Sequence, residues 1–162
     1  MSMGWTSAVA GLALLTAGRL SETTPPFLLA AQQGQSLTLR VQLATRDTLV
    51  SREAPNRMTL TTPWGKTQVQ PSGTRHSNPA FTSYFAQVKP MTFKVNVPAS
   101  VKPGNYPAQL GGELFICDIR DKVCTLRPVQ VPVHIQVGAT AQIRSTTLTL
   151  RDQDLKPRGR RL

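Results

Sequence analysis

With 162 residues, 40% of them hydrophobic, the chain is long enough for one domain with a buried core and too apolar to be a disordered one. Its 13 prolines and 11 glycines interrupt it often, which favours short strands over long helices. The formal net charge of +11 favours anionic neighbours, but the basic residues are scattered over several segments, the pattern of a solvated surface.

Residues 5–17 are apolar and uncharged, and Arg19 is the first charge in the chain. They fall short of the roughly 20 residues that span a bilayer as a helix, but they suit a signal-peptide core. Thr16, Ala17 and Gly18 supply small residues for cleavage, although Met1 to Gly4 lack the usual positive charge. Residues 1–22 are therefore expected to be a short hydrophobic leader that exports the chain to the periplasm or another extracytoplasmic space. A short helix packed on the domain is the other reading.

Residues 23–138 are expected to form the domain proper. Residues 23–26 read as a linker. Leu37, Leu39, Val41 and Leu43 alternate with polar residues and predict a half-buried antiparallel strand. Residues 45–57 are polar, break at Pro55 and read as a loop or a short irregular piece. Met58 and Leu60 begin a strand that Pro63-Trp64-Gly65 stops, and residues 71–80 form a long loop before the aromatic cluster Phe81, Tyr84 and Phe85. Phe93, Val95 and Val97 predict a further strand, and Lys102-Pro103-Gly104-Asn105 a turn. Tyr106, Ala108, Leu110, Leu114 and Ile116 share one parity and can face one core across a bend at Gly111-Gly112. Val129, Val131, Val133, Ile135 and Val137 form the last clear strand, where Pro132 argues for an edge or an irregular pairing. Gly138 is expected to close the compact domain. Residues 139–162 are expected to add at most one weaker strand within 139–150, then a disordered basic tail from Arg151. The fold class this predicts is all-β: an immunoglobulin-like antiparallel β-sandwich.

Cys117 and Cys124 are the only cysteines. An apolar run enters the first, a charged hexapeptide turns the chain, and an alternating run leaves the second. Facing strand residues have Cβ atoms about 4.5–5.5 Å apart, so such a hairpin can join the two sulfurs. If Leu114, Ile116 and Val129 face the core, both cysteines fall on the opposite face, where a thiolate can reach them; one β-bulge near Arg127-Pro128 would reverse this for Cys124. As a clamp, so short a loop would stabilise by roughly 2–3 kcal/mol. Arg120, Lys122 and Arg127 would lower a thiol pKa, and Asp118 and Asp121 would raise it.

Other chemistries find less support. His76 and His134 are the only histidines, and no Cys/His spacing resembles a zinc site. No acidic pair, nucleophile elbow or cofactor motif stands out, and Trp64 in a Pro-Trp-Gly turn builds no nucleic-acid platform. The tail Lys156-Pro157-Arg158-Gly159-Arg160-Arg161 suits weak contact with an anionic membrane surface.

The run Phe93-Lys94-Val95-Asn96-Val97-Pro98, followed by Lys102-Pro103-Gly104-Asn105-Tyr106-Pro107-Ala108, continues through Leu114-Phe115-Ile116-Cys117, a short loop, Cys124 and Pro128-Val129-Gln130-Val131-Pro132-Val133. In this order the segments resemble the periplasmic N-terminal domain of the transmembrane thiol–disulfide reductase DsbD over residues 25–138, and Arg52-Glu53-Ala54-Pro55-Asn56-Arg57 resembles a loop of such domains. The resemblance implies an immunoglobulin-like fold whose two cysteines accept electrons from a thioredoxin-like partner and pass them to oxidised client proteins without metal or cofactor. It also implies an aromatic cap over the pair, with Phe81 the first candidate and Tyr84 and Phe85 the alternatives. The loop between the cysteines is one residue longer than expected, and Asn78-Pro79-Ala80 replaces acidic residues before the cap. The alternative is a non-enzymatic binding module with a structural disulfide and a basic surface.

Overall fold

The computed structural model describes residues 25–138 and 146–155; the expected leader and the tail beyond Leu155 lie outside them. Eleven strands follow in chain order: β1 (Phe27–Ala31), β2 (Ser36–Ala44), β3 (Thr48–Val50), β4 (Arg57–Thr62), β5 (Gly65–Val69), β6 (Gly73–Arg75), β7 (Phe85–Val88), β8 (Met91–Asn96), β9 (Gly104–Asp118), β10 (Val123–Val137) and β11 (Thr147–Arg151). A single helical turn, α1 (Asp152–Leu155), ends the described chain.

The strands make an all-β sandwich of immunoglobulin-like form. Its larger sheet runs β1-β10-β9-β4-β5, with β3 also on β9; the smaller runs β11-β2-β8, and β6 and β7 form a separate two-stranded arm. Alternation dictates the core. Leu37, Leu39 and Val41 of β2 and Phe93 and Val95 of β8 face inward from one sheet. They meet Met58, Leu60, Leu110, Leu114, Val133 and Ile135 from the other. Each such side chain, fully buried, contributes about 1.5–3 kcal/mol.

Three features depart from the expectation. Two pairings are parallel, β1 with β10 and β11 with β2, so the sheets are mixed rather than purely antiparallel. The domain does not close at Gly138: β11 pairs with β2, Leu155 is buried, and the ordered chain runs past Arg151. Finally, β9 is one unbroken strand through Gly111-Gly112. A Cβ on Gly112 would lie 2.9 Å from Met58 Cα and closer still to the Arg57 carbonyl oxygen, so glycine here lets β4 approach.

Candidate functional site

The site is the tip of the β9–β10 hairpin. Both strands are 15 residues long, and they pair without a register shift from Asp118↔Val123 to Gly104↔Val137. The turn at residues 119–122 is built by Asp118, whose Oδ1 accepts from the backbone N–H of Arg120 (2.9 Å) and Asp121 (3.2 Å). Lys122 completes it at φ 54°, a left-handed conformation unusual for a lysine.

Cys117 and Cys124 face each other directly and are disulfide-bonded, with Cα atoms 4.0 Å apart. With no bulge at Arg127-Pro128, even positions of β9 and odd positions of β10 face the core, and both cysteines share the other face. That face is not evenly open. Cys117 is 6% exposed, whereas Cys124 is exposed. Leu49 of β3 sits opposite Cys117 on the side of β9 away from β10, so among the described residues Cys117 lies between two strand neighbours and Cys124 has only one.

Short polar links hold β3 against β9. The Phe115 N–H donates to Asn56 Oδ1 at 2.6 Å, and its carbonyl accepts from the Ser51 N–H at 2.9 Å. Asn56 Nδ2 donates in turn to the Ser51 carbonyl at 2.6 Å. Both Asn56 and Ser51 are buried, so this closed circuit satisfies polar groups that would otherwise be costly two residues from Cys117.

Tyr84 also covers Cys117. Its hydroxyl lies 2.8 Å from Cys117 Sγ and 3.7 Å from Cys124 Sγ. A disulfide sulfur carries no proton, so the phenol is the donor. Backbone bonds fix the approach: Ser51 and Tyr84 form an antiparallel bridge, Arg52 N–H donates to the Ser83 carbonyl at 2.8 Å, and His76 N–H to the Tyr84 carbonyl at 3.1 Å. Asn78 caps the 3₁₀ turn at Pro79–Phe81 through Ala80 N–H, 3.0 Å away. The other two aromatics have ring or core partners of their own. Phe81 packs edge-on against His76 with ring centroids 5.4 Å apart, and Phe85, pointing opposite to its neighbour, enters the core.

Charge around the sulfurs differs from the sequence expectation. Arg127 pairs with Leu114 and so faces the core side, where its Nε and Nη2 are buried without a hydrogen-bond partner among the described residues. It therefore does not face the thiols. Arg120 pairs with Asp47 at 3.4 Å, an exposed pair that contributes little. Among the described residues no group of three His, Cys, Asp or Glu side chains could hold a metal. Sequence reasoning missed Leu49 and the Ser51–Asn56 circuit, because three residues inside a polar loop carry no readable period.

No model of a known protein family matches the chain, and no curated protein matches it.

Proposed function

We propose that the Cys117–Cys124 pair is an extracytoplasmic thiol–disulfide exchange centre, working between a thioredoxin-like dithiol donor and oxidised client proteins. The carrying observation is the asymmetry of the pair: one cysteine exposed, the other buried beside Leu49 and a tyrosine hydroxyl. In this reading a donor thiolate attacks Cys124 Sγ. The donor S–Cys124 S bond forms, the Cys117–Cys124 bond breaks, and the electron pair leaves on Cys117 Sγ, where the Tyr84 O–H stands ready to donate. A second donor thiol then resolves the mixed disulfide, so the hairpin gains two electrons and the donor is oxidised by two.

A purely structural disulfide is the competing reading, favoured by the burial of Cys117. Against it, the bond closes only a short loop of the unfolded chain, so as a clamp it would stabilise by no more than roughly 2–3 kcal/mol. The reduction potential separates the two. A value of roughly −120 to −270 mV is expected for exchange, and one below about −300 mV would assign the bond to structure alone.

A further inference from the structure

The open side of Cys124 is also an open edge of the sheet. β1 pairs with β10 only along residues 133–137, so residues 123–132 of β10 have a strand neighbour on the β9 side alone among the described residues. The direction of their backbone groups follows from β9. Phe115 spends its N–H on Asn56 and its carbonyl on Ser51, both away from β10. The Phe115–Leu126 pair is thus a non-hydrogen-bonded one, and so is Cys117–Cys124 two residues on, as its 4.0 Å Cα separation requires. It follows that Cys124, Leu126, Pro128 and Gln130 all turn their backbone groups outward.

Two of the outward positions on this strand, Pro128 and Pro132, are prolines with no N–H to offer, a common way of blunting an edge. Pro25 and Pro26 lie across a groove from residues 128–131. The stretch left unblunted is residues 123–127, directly beside the disulfide. There the only described side-chain contact to an outward group is a long one, 3.4 Å from the Thr125 hydroxyl to the Leu126 carbonyl. Leu126, 48% exposed, shares the face of Cys124.

We infer that this edge receives an extended, cysteine-bearing segment of the dithiol donor as an added strand beside β10. This rests on the exchange function proposed above and names how its partner docks. An added strand in antiparallel register places its cysteine opposite Cys124, with Cβ atoms about 4.5–5.5 Å apart. The disulfide crosses from β9 to β10, and the incoming sulfur continues that line from the free side. Attack on Cys124 Sγ is then in line with departure of Cys117 Sγ. The mirror-image attack on Cys117 is obstructed by Leu49. Backbone hydrogen bonds to Cys124 and Leu126 supply affinity without demanding a particular donor sequence.

The test uses the oxidised full chain and acetylated, amidated ten-residue peptides of alternating threonine and valine with one central cysteine. One peptide is N-methylated at the cysteine and at alternate residues in its register, which blocks the edge toward β10. A second is methylated at the intervening nitrogens, which point away. The second peptide is expected to form the mixed disulfide about tenfold faster than the first, equivalent to about 1.4 kcal/mol. This ratio is expected to collapse toward one in Leu126→Pro. Amide exchange at Leu126 is expected to slow in the wild-type mixed disulfide. Equal rates for the two peptides, with Leu126 still unprotected, would overturn strand addition. If dithiothreitol opens the disulfide readily while the peptides do not differ, only the docking inference fails. A disulfide that resists dithiothreitol overturns the exchange function itself, and the docking inference with it.

Discussion

The phenol of Tyr84 donates toward a sulfur that is neutral in the oxidised chain and anionic when Cys117 leaves as thiolate. A hydrogen bond to a charged acceptor is worth more than one to a neutral acceptor, so the contact favours the reduced state. Tyr84→Phe is expected to make the reduction potential more negative by on the order of 30 mV, read by equilibration with a glutathione buffer. An unchanged potential would leave Tyr84 as cover alone. At the turn, Lys122 holds a conformation that costs an L-residue roughly 1–2 kcal/mol. Replacing it by glycine relieves that cost but loosens the unfolded chain, and Lys122→Gly is expected to stabilise by up to about 1 kcal/mol in denaturant unfolding.

At the scale of elements, the β9–β10 hairpin is the spine to which β1, β3 and β4 attach. Its strands pair without a register shift far beyond the bond at its tip. Replacing both Cys117 and Cys124 by serine is expected to cost no more than about 2–3 kcal/mol and to leave a cooperative thermal transition. Loss of the folded state would favour the clamp. Gly112 is less dispensable, because β4 runs across the space a side chain would fill. Gly112→Val is expected to cost more than about 2 kcal/mol by overpacking against Arg57 and Met58, and to free the β4 amides in hydrogen exchange.

Across the whole molecule, the C-terminal segment is tied back to the β2–β3 connection by Asp152, whose carboxylate accepts from the Arg46 N–H at 2.9 Å and the Asp47 N–H at 3.3 Å. Partial burial pushes this carboxyl up, but the hydrogen-bond donors of Arg46, Thr48 and Asp47 outweigh it and hold the pKa below its ordinary value of 3.8. The unfolded chain therefore binds the proton more readily than the folded one. The tie contributes stability above pH 3.8, and that contribution is lost as the pH falls below 3.8 through the lowered folded value. Asp152→Ala is expected to lower the thermal midpoint near neutral pH and to show a shallower acid limb than the wild type. Coincident acid limbs would remove Asp152 from the account.

Alternation along Leu37 to Leu43, Phe93 to Val97 and Val129 to Val137 was legible because a period of two survives without any partner being known. It determined the all-β class, the main core positions and the shared face of the two cysteines. The short pieces were not legible. Thr48–Val50, Gly65–Val69 and Gly73–Arg75 are too brief or too polar to show a period, and they are strands because a neighbour supplies their hydrogen bonds. The same holds for the parallel pairing of β1, since five apolar residues do not say in which direction they will lie. Local chemistry placed two thiols at a turn. Only the tertiary structure enclosed one of them between Leu49 and Tyr84 and left the other on an open edge, because exposure is decided by segments distant in the chain and the sequence records no distances between them.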